Sequence, residues 1–413
     1  MPLNAQIAAT ARQAAVQVWQ RNVVPRLGLV HPSRAYAGVW LRDSFWTLTA
    51  LGNAGISWRA LRNFAAPQRA SGQVPTQFSY FIEKPIYRPD ESTLLFLIWS
   101  YWQARADGHM LPRPVLRRAL TYARSRVLHG LYQSAPGPYA SWFDSYLLPG
   151  ADTLAYNQGL YVDALLAAHA LGLSLNHGEL SAAMRGYRSL ASGGYLRFSL
   201  HQRYHDISGL AGAFLALWLF HRPLLANTIV AHTLASQPAF QGGYLVVTDP
   251  HGRYLPRHDF VMPMNPGDYQ NGASWLLYDA LALATGFLQD VPGTLARLEA
   301  RLHAEFRTGV VFHEFLDTNP DAPDYQGEPA WRNGFAWDSF IVVINRLVHS
   351  TCSAQPAGAR LYAQASIPGA VPDVTLDSLG VVKPRWSAGQ WYSAWYDRSR
   401  TSERGATCRR RAC

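Results

Sequence analysis

Every residue from Leu94 to Trp99 is apolar, so a helix built there has no polar face to present to water. Such a helix is stable only when other elements enclose it on all sides. Its start constrains the chain further. Pro89 ends the preceding loop and Asp90 is a good N-cap, so two adjacent carboxyls, Asp90 and Glu91, sit on the first turn. The first N–H groups of a buried helix are unpaired and partly positive. The two acids therefore either cap a core helix or help present its end to a polar ligand.

The same pattern recurs along the chain. Helical periodicity and caps predict helices at roughly 4–24, 43–53, 56–68, 90–107, 113–128, 157–172, 177–190, 207–219, 222–238, 270–287, 291–308 and 334–349. Strand-like alternation is confined to a short stretch near Gly242–Thr248. The fold class is all-α. The helices fall into pairs, an apolar one after a long loop and a more polar one a few residues later. Closed into a ring, six such hairpins place the apolar helices inside and the polar ones outside. The long loops then meet at one end, with Asp43, Asp90, Asn157, Asp206, Gln270 and Trp337 near the mouth, where a rigid scaffold carries its site. The expected organisation is a barrel over 1–350, a wrapping segment over 351–395 and a basic tail over 396–413.

Composition supports a large core, with 48% hydrophobic and only 15% charged residues. The 14 Trp and 21 Tyr exceed what packing needs and suit a sugar-binding cleft. Much of the net charge of +10 lies from Lys383 onward, where eight basic side chains face two acidic ones, which argues against a nucleic-acid surface on the folded part. No apolar run is long enough to span a bilayer, and Met1–Leu27 lacks a secretory core. Three Cys make no disulfide framework and suit a cytoplasmic location.

Five loop segments concentrate polar and aromatic groups. Val39–Trp46 carries Trp40, Arg42, Asp43 and Trp46; Gly72–Phe78 is read as an irregular turn with Gln77 as a hydrogen-bonding side chain. Ser141–Ser145 brings Trp142 and Asp144, followed by Asn157 and Gln158. Pro266–Trp275 holds Asp268, Tyr269, Gln270, Asn271 and Trp275. Phe312–Thr318 places Glu314 in an apolar setting, and Trp331–Asp338 adds Trp331 and Trp337. Singly, each has a structural reading: Arg42 with Asp43 as a buried ion pair, the Asn-Gly as a turn. An acid beside a Trp at one helix mouth after another is harder to obtain by chance.

In order and spacing, Val39-Trp-Leu-Arg-Asp-Ser44, Pro89-Asp-Glu-Ser-Thr-Leu-Leu95, Trp142-Phe-Asp144 with Asn157-Gln-Gly159, Tyr269-Gln-Asn-Gly272, and His313-Glu-Phe-Leu-Asp317 with Gly334-Phe-Ala-Trp337 resemble the six-hairpin glycosidases. The resemblance is to the clan of the glycogen-debranching glucosidase domain, the mannosylglycerate and processing α-glucosidases of glycoside hydrolase family 63, and the alkaline/neutral invertases. It covers roughly residues 35–345. It implies an (α/α)6 barrel and inverting hydrolysis at an anomeric carbon, with an acid on the Asp90–Glu91 helix start and a base in the Glu314 segment. This chain departs in carrying two adjacent acids where the relatives mostly carry one.

Inversion needs an acid and a base about 6.5–9.5 Å apart. Asp90 or Glu91 is the expected acid and Glu314 the expected base, with Asp268 its rival. The remaining named side chains are expected around the sugar, Trp faces on its C–H side and carboxylates on vicinal hydroxyls. The expected activity is exo-hydrolysis of a short α-glycoside, an α-glucoside first. Competing readings are a phosphorylase, a sugar epimerase using paired His among His201, His205, His258 and His313, and a non-catalytic carbohydrate binder. No metal-ligand spacing or phosphate loop is present, so no cofactor is expected. The oligomeric state and the identity of the sugar stay open.

Overall fold

Twelve α-helices are present among the described residues of the computed structural model, which are 3–33, 36, 38–79, 84–191, 193–261, 264–319 and 334–353. Six form an inner ring: α2 (Leu41–Leu51), α4 (Ser92–Asp107), α6 (Ala155–Ala170), α8 (Leu210–Phe220), α10 (Leu276–Leu288) and α12 (Ile341–Ser353). Six lie outside: α1 (Ala5–Asn22), α3 (Ala54–Ala65), α5 (Arg113–Ser125), α7 (Glu179–Ser189), α9 (Asn227–Ser236) and α11 (Thr294–Glu305). Each inner helix packs on the next, and α12, with the 3-10 turn Trp337–Phe340 before it, closes on α2. Helix α1 packs on α12, so the sixth hairpin joins the two ends of the barrel sequence. The fold is the all-α (α/α)6 barrel expected from the pattern.

Side-chain chemistry sorts the two rings. All residues of α6 from Ala155 to Ala168 are buried, whereas α5 buries only Leu116, Ala119, Leu120 and Ala123, a single stripe at i, i+3, i+4 and i+7. The inner helices approach closely where side chains vanish. A Cβ on Gly212 of α8 would stand 2.5 Å from the Gly159 Cα of α6, so this crossing requires glycine.

Three helix starts fall five or more residues after the sequence expectation, among them α9, expected from 222 and beginning at Asn227. The helix expected from 270 begins at Leu276, because residues 266–275 form an irregular loop with Gly272 at φ 92°. The helix expected from 334 begins at Ile341, after the 3-10 turn. Gln77 and Phe78, read as the end of a turn, instead begin Gln77–Ser79, the middle strand of a three-stranded sheet with Gly38–Trp40 and Lys84–Ile86. Pairing of Trp40 with Gln77 fixes the entry to α2. The expected wrapping segment from residue 354 onward and the basic tail lie outside the described residues. No helix among the described residues is long and apolar enough to cross a membrane.

Candidate active site

The segments leading into α2, α6, α10 and α12 line one pocket, of about 370 Å³ when the open solvent at its mouth is included. Trp40, Arg42 and Asp43 come from the start of α2, Trp142 and Asp144 from the loop before α6, and Tyr269, Gln270 and Trp275 from the loop before α10. Glu314, Phe335 and Trp337 come from the connection between α11 and α12. Tyr36 and Pro32, just upstream of the α2 sheet, complete it. The mouth of the barrel thus gathers polar groups that lie far apart in sequence.

Aromatic faces form its walls. Trp142 packs 5.3 Å from Trp275 and 4.0 Å from Tyr278, between ring centroids, and its indole N–H donates to Ser208 Oγ at 2.8 Å. Ser208 in turn donates through its backbone N–H and its hydroxyl to Asp206, at 2.8 and 2.6 Å. Asp206 therefore lies behind the wall and fixes the Trp142 plane through Ser208. Trp337 packs on Trp275 and Phe335, and the Arg42 guanidinium lies 5.3 Å from its centroid.

Three carboxyls face the pocket: Asp43, Asp144 and Glu314. Gln270 holds the Asp144 loop in place, donating to the Trp142 carbonyl at 2.8 Å and to Asp144 Oδ1 at 3.1 Å while accepting from the Ser145 N–H at 2.9 Å. The Tyr36 hydroxyl donates to Glu314 Oε1. Arg42 donates to Glu91 at 2.9 Å and stands 4.0 Å from Asp144 Oδ2. Burial disfavours the charged form of all three carboxyls. It pushes Asp43 up to about 7 against the pull of Arg42. It raises Asp144 despite Arg42 and Gln270, and raises Glu314 to about 8 despite the Tyr36 hydrogen bond.

The pocket also holds buried polar atoms with no protein partner among the described residues: Arg42 Nε, Asp43 Oδ1, Glu314 Oε2 and Trp337 Nε1. Each such atom costs about 1–3 kcal/mol. Donors and acceptors interleaved with indole faces match a ring bearing several hydroxyls.

The Glu314 segment is tied to the outer ring by a buried charge network that no sequence motif announced. Arg301 of α11 donates to Asp279 of α10 at 2.8 Å and to Glu305 at 2.7 Å, all three with fully buried side chains. Glu305 accepts from the His313 backbone N–H at 2.6 Å, and Asp279 accepts from the Ser274 hydroxyl at 2.6 Å. Ser274 pairs with Leu316 through two backbone hydrogen bonds. Both sides of that bridge are therefore fixed by the same pair of helices.

Several residues expected at the site serve the loops instead and do not line the pocket. The N-cap of α4 is Glu91 rather than the expected Asp90, and it makes no side-chain cap bond. Asp90, one residue earlier, accepts from the Ser92 N–H at 3.0 Å, and burial together with neighbouring Glu91 raises its pKa. Glu91 is fully buried against Arg42. Trp46 is inside α2 against Phe45 and Phe340, and Gln77 lies in the sheet. Asn157 donates to Ser134 and to the Ala140 carbonyl. Gln158 bridges Tyr132, Gly130 and Ala183, and Asn271 bonds the backbones of Leu255 and Met264. Side-chain amides at buried helix mouths have unpaired loop backbone within reach, and satisfying it takes precedence over facing the pocket. Asp268 is buried outside the lining, and Trp331 lies outside the described residues. Tyr36 and Phe335 line the pocket without having been anticipated; Tyr36, three residues before Val39, carried no pattern that marks it. No group of three metal-ligating side chains is found among the described residues.

Solved structures with this fold include a wild-type glycosidase at 16% identity and TM-score 0.56, over 83% of this chain and 97% of that one. A variant glycosidase in complex with glucose aligns at 15% identity and TM-score 0.56 over the same shares. The GH63 mannosylglycerate hydrolase from Thermus thermophilus in complex with glucose aligns at 16% identity and TM-score 0.54, over 81% of this chain and 99% of that one. At these identities the likeness is one of fold. No protein-family model matches the sequence, and no curated protein sequence matches it.

Proposed function

We propose that this chain is an inverting glycoside hydrolase acting at the end of a short α-glycoside, with Asp144 as general acid and Glu314 as general base. The observation that carries the reading is the pair of buried carboxyls on one aromatic-walled pocket, Asp144 on the loop before α6 and Glu314 on the connection before α12. Asp90 and Glu91, the two acids expected from the sequence, lie at the start of α4 outside the lining, Asp90 accepting from the Ser92 N–H and Glu91 paired with Arg42.

Asp144 delivers its proton to the glycosidic oxygen as the C–O bond breaks. Glu314, as a carboxylate, takes a proton from the water that attacks the anomeric carbon from the opposite face. The product is a free sugar of inverted configuration and a free alcohol. Burial supplies the raised proton affinity an acid needs at Asp144. It raises Glu314 as well, to about 8, with the Tyr36 hydroxyl pulling part of the way back toward the carboxylate, so the base is fully ionised only above that pH. Asp43, Arg42 and the Trp337 N–H take the sugar hydroxyls. A pocket closed by the barrel suits exo-action. The glucose held by two similar glycosidase structures supports a hexose ligand, and an α-glucoside is the first choice. No histidine lies among the lining residues, which disfavours an epimerase working through paired His.

The test is NMR of the anomer released from methyl α-glucoside, methyl α-mannoside and sucrose by wild type, Asp90→Asn, Asp144→Asn and Glu314→Gln. The expected outcome is an inverted sugar, lost in Glu314→Gln, reduced about 10²–10⁴-fold in Asp144→Asn and kept in Asp90→Asn. Asp144→Asn should retain activity on α-glucosyl fluoride, whose leaving group needs no proton. Retained configuration, or full activity of Asp144→Asn on methyl α-glucoside, overturns the assignment.

A further inference from the structure

Glu91 has no contact with the pocket, yet one of its oxygens is 2.9 Å from the arginine that is. Its side chain is fully buried, and its second oxygen, Oε2, has no hydrogen-bond partner among the described residues. It is the N-cap residue of α4 and makes no side-chain cap bond there, the neighbouring Asp90 accepting from the Ser92 N–H. Across the gap, Arg42 reaches Glu91 with one terminal nitrogen and leaves the other 4.0 Å from Asp144, beyond hydrogen-bonding distance. A guanidinium without another carboxylate partner pairs with a neighbouring carboxylate through two parallel N–H donors, and holds it ionised. Here Glu91 takes that partner role.

We propose that Glu91 is a positioning residue that holds Arg42 back from Asp144, so that Asp144 keeps its proton for the leaving group. The proposal rests on the reading of Asp144 as the acid, and it assigns a task to the acidic pair at the α4 start other than catalysis. The groups facing Asp144 are Arg42 and Asp43 from α2, Glu91 from the start of α4, the Gln270 amide from the loop before α10, and Tyr36 and Glu314 across the pocket. Of these, Arg42 and Gln270 favour the carboxylate, while Glu91 favours the neutral acid. Removing the Glu91 charge therefore shifts the balance toward ionised Asp144 twice over, by losing a negative neighbour and by freeing the guanidinium to close the 4.0 Å gap.

The experiment is a carboxyl ¹³C NMR titration of aspartate-labelled protein, with the Asp144 signal identified by its loss in Asp144→Asn. In Glu91→Gln the Asp144 midpoint is expected to fall by about one pH unit or more, and the alkaline limb of kcat/KM on methyl α-glucoside to move down with it. Glu91→Asp, which keeps the charge, is expected to recover most of the wild-type midpoint. In the double variant Arg42→Met/Glu91→Met, which removes the pair together, the midpoint is expected to rise above wild type. An Asp144 midpoint unchanged in Glu91→Gln, or lowered in the double variant, overturns the proposal. Because the titration reads a proton rather than turnover, a shift at Asp144 in a protein that hydrolyses nothing would sink the hydrolase reading and leave the charge relationship standing.

Discussion

Tyr36 donates its hydroxyl hydrogen to Glu314 across 278 positions of sequence, joining the segment just before the α2 sheet to the one that leads into α12. The bond spans the seam where the last hairpin closes on the first. It gives a deeply buried carboxyl one donor that favours its charged form. Tyr36→Phe removes that donor, so the Glu314 pKa rises further and the acidic limb of kcat/KM moves to higher pH. A shift of about one unit, with activity near neutrality down roughly tenfold, is the expected size for a hydrogen bond to a charged group. The pH–rate profile on methyl α-glucoside decides it: an unmoved acidic limb excludes Glu314 as the group that Tyr36 tunes.

Arg301 bridges two fully buried acids, Asp279 and Glu305, in the network behind Glu314. Replacing it by Met leaves both without that partner, at a cost of about 3–5 kcal/mol. The urea midpoint of Arg301→Met should fall accordingly. Because Glu305 holds the His313 N–H, kcat is expected to fall more than KM rises. A variant with wild-type midpoint and kcat would show that the network holds nothing.

Burial pushes Asp206 up to about 7 from its ordinary 3.8, with its Ser208 hydrogen bonds pulling the other way. The folded chain thus keeps a proton that the unfolded chain releases near pH 4. This contribution to stability is present in full below that pH and is lost as pH rises toward 7, by at most about 1.4 kcal/mol per unit. Asp43, Asp90 and Glu314 have the same sign. Asp206→Asn keeps an acceptor for Ser208 and removes the titration. Thermal melts at pH 4.5 and 7 should therefore show a smaller loss for Asp206→Asn than for wild type; equal losses would mean that Asp206 is already ionised in the fold.

At the crossing of α6 and α8, Gly212→Ala places a methyl 2.5 Å from the Gly159 backbone. Rigid backbone on both sides leaves no side chain to give way. The overpacking should cost about 1–3 kcal/mol, more than the gain in helix propensity from Ala, roughly 1 kcal/mol. Differential scanning calorimetry checks this, and a raised Tm would show that the helices part easily.

Much of the site was legible at the level of segments. Four of the five loops singled out by their polar and aromatic content line the pocket, through Asp43, Asp144, Gln270, Glu314 and Trp337. Roles within a segment were harder. Asp90 has the helix-start position and apolar setting of a catalytic acid, but it sits one residue before the N-cap and its carboxyl goes to the Ser92 N–H. Asn157 and Gln158 are polar at a helix mouth, and their amides go to Ser134, Gly130 and Ala183. Whether a polar side chain turns to a cavity or to a neighbouring backbone depends on which unpaired group comes within about 3 Å, and sequence does not carry that distance.

The architecture follows from the apolar patterning of the chain. Helices apolar on every face require a shell, helices apolar on one stripe can supply it, and their alternation leaves a double ring as the arrangement that buries both. The tertiary structure decided the chemistry. Closing α12 on α2 brings Tyr36 to Glu314, and the loop before α6 carries Asp144 to within 4.0 Å of Arg42 while Glu91 holds that arginine from behind. Burial and pairing act over a few ångströms and set which carboxyl keeps a proton. Those distances exist only once the ring is shut.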